Sequence, residues 1–188
     1  KTPTDLTVEE ILIRSGNIGS VRIGQKIGEE KFKSFLKKIG VRGTIDFDIQ
    51  EIGKPTPINW GKCKLATASY GHGITTTLLQ IAKGYAIVTN GGYDIRPTII
   101  QKKIIEKHSQ KRILNISVSN KINKILRKVV TNTEGTAKLA NVKGYEVGGK
   151  TGTAQISKNG KYTRDKINTF AAVFPSQKPK YTLIVMLD

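Results

Sequence analysis

Apolar residues recur at helical spacing in several segments of the first 130 positions and at strand spacing near the end of the chain. Thr7 and Glu10 frame T-V-E-E ahead of Val8, Ile11 and Leu12, a capping-box pattern that predicts a short helix. The following RSGN, residues 14–17, should break it, because glycine and asparagine end helices. A second helical stretch is expected over 18–27. A third is expected over 29–39, with Phe32, Phe35, Leu36 and Ile39 at i, i+3, i+4 and i+7 and Gly40 as the stop. Residues 41–65 carry Gly, Pro and isolated apolar residues without a period and read as a long loop. Helical spacing returns over 75–89, closed by Asn90-Gly91-Gly92. Ser119 is placed as the cap of a further helix with Ile122, Ile125, Leu126, Val129 and Val130 on one stripe.

The period then changes to that of strands. PTIIQKKII (97–105) is one expected strand, and YEVGGKTGTAQIS (145–157), INTFAAVFP (167–175) and KYTLIVML (180–187) form the clearest set. Asn159-Gly160 is a hairpin signal, and Ser176 to Pro179 is a short turn. Strands joined this closely imply an antiparallel sheet. Helices first and strands last predict an α+β fold with helices packed on that sheet.

Composition narrows the partners without deciding them. Thirty-two Lys and Arg against 14 acids give a net charge of +18. Such a charge favours an anionic neighbour: nucleic acid, a phospholipid surface or an anionic polymer. The lysines are scattered over the whole length, however, as solvated faces of a lysine-rich sequence would be. Aromatic residues do not alternate with the basic ones, which argues against a single-strand nucleic-acid platform. Cys63 stands alone, so neither an internal disulfide nor a cysteine-rich zinc site is expected. His72 and His108 are too few and too far apart for a metal cluster. No stretch reads as a membrane span or a signal peptide. The chain opens at Lys1 and closes inside the apolar YTLIVMLD, so it is expected to be a fragment.

Lys150-Thr151-Gly152-Thr153 places a cation and two hydroxyls on one expected strand, with no side chain at Gly152. Ser15-Gly16-Asn17, an S-x-N, lies on a helical connection. A second S-x-N, Ser157-Lys158-Asn159, reads as the approach to the Asn159-Gly160 turn. Each residue has a plain structural reading. Lys150 suits an exposed strand, Ser15 and Asn17 suit helix caps, His72 suits a loop, and Gly148, Gly149 and Gly152 suit a bulge.

Taken in order, S-x-N followed far downstream by K-T-G-T resembles the serine penicillin-recognising enzymes, which use S-x-x-K, S-x-N and K-T-G. The flanks agree. ATASYGHGITTTLLQIAKGYAIVTNGG (66–92), the RPTII after it, VVTNTEGTAKLANVKGYEVGGKTGTAQ and FAAVFPSQKPKYTLIVMLD all resemble class B penicillin-binding proteins. Within that class the resemblance is greatest to the septal peptidoglycan transpeptidase, with the elongation transpeptidase as the other possibility. Thr77-Leu78 departs from the family, which commonly carries proline and leucine before the glutamine.

The resemblance implies a penicillin-recognising fold, incomplete at its N-terminal side, with a mainly helical part over 1–95 and a sheet part over 96–188. It implies a peptidoglycan stem peptide ending in D-Ala-D-Ala as substrate and β-lactams as inhibitors, with no cofactor, metal or nucleic acid. Thr151 and Thr153 would donate to the substrate carboxylate beside the Lys150 charge. Gly152 would keep the strand open, and the Thr153 N–H would serve the oxyanion. Ser15 would relay a proton to the leaving amine, and Asn17 would hold the peptide backbone. Tyr70 and His72 would form the cleft wall; both positions are often tyrosine in the family. Divisome membrane proteins would be partners. The periplasmic face of the inner membrane would be the location, through an anchor outside these residues.

The nucleophile of the S-x-x-K motif is expected upstream of Lys1. Ser34-Phe35-Leu36-Lys37 matches the spacing, but helical geometry turns Ser34 and Lys37 away from the apolar face. A lysine acting as base needs desolvation, and Lys37 should lie in water. Competing readings are a β-lactamase or D,D-carboxypeptidase on the same fold, a non-catalytic penicillin-recognising sensor or scaffold, and a basic nucleic-acid module.

Overall fold

The computed structural model describes residues 5–49, 53, 55–57, 60, 61, 63–101, 111–158 and 161–188. Its helices are α1 (Val8–Ile13), α2 (Asn17–Ile27), α3 (Glu29–Lys38), α4 (Lys64–Ser69), α5 (Leu78–Thr89) and α6 (Ile116–Thr131). Three strands, β1 (Gly148–Lys158), β2 (Lys161–Phe174) and β3 (Tyr181–Leu187), form an antiparallel sheet in the order β1-β2-β3. The α+β expectation holds. No helix among the described residues is long and apolar enough to cross a membrane.

The capping box of α1 forms as its sequence predicts. Glu10 N–H donates to Thr7 Oγ1 at 3.2 Å, and Thr7 N–H donates to Glu10 Oε2 at 2.8 Å. Thr77 does the same for α5 with Gln80, which is 1% exposed and also donates to the Gly43 carbonyl at 2.7 Å. The threonine that departs from the family pattern is therefore a working N-cap. The long loop gives way at Lys64 to α4, which carries no apolar period that would reveal it. It packs on α2 so closely that a Cβ at Gly24 would overlap Ser69 Oγ.

Three expectations need correction. Ser119 does not cap α6; Asn115 does, accepting from Ser117 N–H at 3.0 Å. Ser119 lies inside the helix because its hydroxyl accepts the Gly91 N–H at 3.0 Å, which ties α6 to the end of α5. The expected 97–105 strand is absent over its described part, 97–101; the remainder and the Asn159-Gly160 turn lie outside the described residues. Over 97–101, Asp48 takes the Ile99 N–H at 2.7 Å and the Thr98 hydroxyl, while Thr98 Oγ1 takes the Ile100 N–H at 3.0 Å. Side-chain acceptors have replaced a ladder partner. The sheet limits also shift. β1 starts at Gly148 after a turn containing Glu146 at φ 51, and β2 starts at Lys161.

Ile13, Val129, Val130 and Ala137 form a buried cluster, with Ile125, Ala140 and Phe170 packed against it. This joins the end of α1, the second half of α6 and the face of β2 that carries Phe170. Arg14–Glu134 at 3.0 Å and Lys128–Glu9 at 2.5 Å add exposed ion pairs across the same joint. α6 also lies against β1, where a Cβ at Gly148 would come 3.1 Å from the Arg127 nitrogen. The connection after α1 and the strand β1 are thus both referenced to α6.

Among the described residues no strand pairs with the outer edge of β3, and Leu183, Val185 and Leu187 are exposed on one of its faces. Unpaired backbone beside apolar side chains recruits another chain. The 188-residue chain is expected to self-associate in a concentration-dependent way, and Val185→Lys should shift it toward monomer. Light scattering reports this. A monodisperse monomer with slow amide exchange throughout β3 would count against it.

Candidate active site

Ser15 is the residue after the α1 C-cap, and it sits in the left-handed region at φ 58. Gly16 N–H donates to the Ile11 carbonyl at 2.8 Å and Ser15 N–H donates to that of Leu12 at 3.3 Å. These are the two bonds of a Schellman termination, whose left-handed position is normally glycine because a Cβ is strained there. The next helix, α2, is capped by Gly16, so neither Ser15 nor Asn17 serves as its N-cap side chain.

The Ser15 hydroxyl faces β1. Lys150 Nζ donates to Ser15 Oγ at 2.7 Å across 135 residues of sequence, and to the Thr151 carbonyl at 2.8 Å. Burial lowers the Lys150 pKa, since a desolvated ammonium is disfavoured. Ser15, Asn17, Tyr70, His72, Lys150, Thr151, Gly152 and Thr153 all line one cleft, whose volume is about 650 Å³. No acidic side chain is among its lining residues. The cleft therefore presents a partly desolvated cation with no carboxylate to balance it.

Register sets what each strand residue shows. Thr151 and Thr153 share one face of β1, opposite Phe170 and Asn168, while Lys150 and Gly152 share the other. Thr153 Oγ1 donates to Asn168 Oδ1 at 3.0 Å. The Thr151 hydroxyl is 2.8 Å from that of Thr136. At Gly152 a Cβ would meet nothing closer than Thr169 at 4.0 Å, so its missing side chain leaves open space rather than relieving a clash. By contrast, a Cβ at Gly149 would come within 2.7 Å of the Ala171 carbonyl and of the Phe170 ring, so that glycine serves packing. The Tyr70 and His72 rings lie 6.0 Å apart on the wall after α4.

Ile11, Leu12, Ser20, Ser69, Gly71, Thr136 and Gln155 also line the cleft and were not among the expected site residues. Thr136 matters most, because it touches a K-T-G hydroxyl. It belongs to an irregular segment after α6, where no period marks it; its only sequence signal is its place in EGTA ahead of the strand. Ser34 and Lys37 are both exposed on α3 and do not line the cleft, in keeping with their outward expectation.

A serine in the turn after α1 and a strand-borne lysine thus meet in a cleft of an α+β fold that has no acidic lining residue. Residues 1–188 match the penicillin binding protein transpeptidase domain, and the chain belongs to that family, in its class B group. It is 33% identical over 198 residues to stage V sporulation protein D of Bacillus subtilis, covering 97% of this chain and 30% of the relative. The TP domain of Burkholderia pseudomallei penicillin-binding protein 3 superposes with a TM-score of 0.90 at 26% identity, over 97% of this chain and 56% of that one. Penicillin-binding protein 3 of Mycobacterium tuberculosis, solved with aztreonam, gives 0.85 at 27% identity, over 97% and 45%. Other relatives carry the name peptidoglycan D,D-transpeptidase. The chain spans about a third of the length of the curated relatives it matches.

Proposed function

We propose that this chain forms the carboxylate- and oxyanion-binding part of a serine-type peptidoglycan D,D-transpeptidase that cross-links stem peptides and is inhibited by β-lactams. The contact between Lys150 Nζ and Ser15 Oγ carries the reading, because it joins two distant motifs into one charged, acid-free cleft. The terminal carboxylate of an acyl-D-Ala-D-Ala end would lie against Lys150 and the Thr151 and Thr153 hydroxyls. Thr136 would help orient Thr151 from the other side. The Thr153 backbone N–H would stabilise the carbonyl oxygen as it takes up negative charge. Ser15 would pass a proton to the departing D-alanine amine, and the adjacent ammonium would bias that relay. Asn17 would hold the donor peptide backbone, and Tyr70 and His72 would bound the site.

The acylated serine and its lysine would come from outside residues 1–188, since Ser34 faces solvent away from the cleft. The sheet part with α6 and the helical part over 1–95 would together be one partial transpeptidase domain. In the full-length protein the domain would face the periplasm at the inner membrane, in a septal role beside other division proteins. Hydrolysis of the acyl-enzyme, as in a β-lactamase or carboxypeptidase, is the second reading. It has the same cleft and differs only in the acceptor.

A fluorescent penicillin tests the proposal. It should label the full-length protein covalently, leave the 188-residue chain unlabelled, and label Ser34→Ala as fast as the wild type. Stoichiometric labelling of the 188-residue chain, abolished by Ser34→Ala, would overturn the placement of the nucleophile.

A further inference from the structure

Thr151 and Thr153 present their hydroxyls on one face of β1, and each hydroxyl has a single side-chain partner among the described residues. For Thr151 it is the Thr136 hydroxyl, 2.8 Å away, and for Thr153 it is Asn168 Oδ1, 3.0 Å away. Neither partner belongs to the K-T-G or the S-x-N motif.

Both partners are placed by their backbone. The Thr136 side chain is exposed, yet the residues on either side of it are fixed. A Cβ at Gly135 would overlap the Val129 carbonyl, while Ala137 is buried and donates its N–H to that carbonyl at 3.2 Å. The 3.0 Å ion pair between Arg14 and Glu134 ties this turn to the connection that carries Ser15. Asn168 lies on β2 directly opposite Thr153 in the register, so the sheet sets its distance. Its amide makes no other hydrogen bond among the described residues and can turn about its last bond.

Proton counting then fixes direction. A threonine hydroxyl has one proton and two lone pairs, and a carboxylate can only accept. If Thr151 gives its proton to a carboxylate, it keeps its bond to Thr136 only by accepting from the Thr136 hydroxyl. Thr153 donates to Asn168 Oδ1. When a carboxylate takes that proton instead, two acceptor oxygens face each other unless the amide makes a half turn. The turn brings Nδ2–H to Thr153 Oγ1, and nothing else has to move.

We propose that Thr136 and Asn168 are positioning residues for the substrate carboxylate: each donates to the hydroxyl oxygen of its threonine and so aims that threonine's only proton at the ligand. The inference rests on the carboxylate-binding reading of the cleft. It makes each threonine the middle member of a two-bond chain, in which the bond behind strengthens the bond in front. Selection of an acid over its ester then depends on ordered hydroxyls as well as on the Lys150 charge.

The test uses the full-length protein and measures acylation by a penicillin and by the methyl ester of the same penicillin, followed by intact mass. The wild type should favour the acid. Thr136→Val keeps the size of the side chain, removes the donor, and should lower that preference by about fivefold, the worth of one net hydrogen bond. Thr136→Ser retains the donor and should retain the preference. Asn168→Leu should lower it by a similar factor. Equal losses toward acid and ester, or a Thr136→Ser as impaired as Thr136→Val, would mean that these residues only support the fold. An unchanged preference in Thr136→Val or in Asn168→Leu would mean that the threonine needs no donor behind it. Each of these results overturns the proposal and leaves the carboxylate reading standing. A wild type acylated equally fast by acid and ester overturns both.

Discussion

Lys150→Ala in the full-length protein is expected to slow acylation by a fluorescent penicillin by about 100-fold, the loss typical of a donor aimed at developing charge. The expectation rests on where the charge sits. Lys150 is partly desolvated, lies 2.7 Å from Ser15 Oγ, and faces a cleft whose lining contains no acid. A charge in such a place acts over short range with little screening. Its pH behaviour gives an independent check. Burial lowers the pKa of Lys150, so acylation should fall at an alkaline pH below that at which a surface lysine titrates. Stability should move the other way. With the folded-state pKa below the unfolded one, the unfolded chain holds more protons between the two values. The burial penalty is therefore fully present at neutral pH and is relieved as pH rises through that window. Falling activity alongside rising stability separates loss of the charge from loss of the fold. Acylation of Lys150→Ala at the wild-type rate would remove Lys150 from the chemistry.

Local sequence chemistry made some elements legible and hid others. The α1 capping box was readable because both partners lie within four residues. The stripe of α6 was readable because one face meets a single buried cluster. The cap of α6 was misread because Asn115 and Ser119 are equally good cap residues in isolation. Only the Gly91 N–H, brought in by tertiary packing, shows that Ser119 lies within the helix. The 97–101 segment failed for a similar reason. Its β-branched residues suit a strand, but Asp48, some fifty positions earlier, captures its backbone donor.

The cleft followed the same division. The types and order of Ser15, Asn17 and the Lys150–Thr153 run marked them by resemblance, although each has a bland reading alone. Their meeting could not be read from spacing, because it depends on α6 holding both the end of α1 and the start of β1. Thr136 was hidden because its place in the cleft shows in one contact, with the Thr151 hydroxyl, and in no period or cap. The glycines divide in the same way. Gly149 is fixed by the Phe170 ring and the Ala171 carbonyl, whereas Gly152 has room for a side chain.

Ser15→Gly should make the protein more stable and far less active. Ser15 holds φ 58, a left-handed conformation closed by two backbone hydrogen bonds that glycine would also make. Glycine adopts that conformation without the Cβ strain, and the relief amounts to about 1 kcal/mol, partly offset by the freer unfolded chain. The lost acceptor costs Lys150 little, because the Thr151 carbonyl still accepts a hydrogen bond from Nζ at 2.8 Å and Ser15 is exposed to water. Acylation or turnover should nevertheless drop by about 100-fold or more, the usual contribution of a positioned proton relay. Ser15→Ala removes the same hydroxyl and retains the strain, so its activity should match that of Ser15→Gly while its melting temperature stays at or below the wild type. A serine kept where glycine is more stable is what a site residue looks like when chemistry outweighs stability. If Ser15→Gly instead lowers the melting temperature and leaves acylation intact, Ser15 is a structural residue and the cleft works without it.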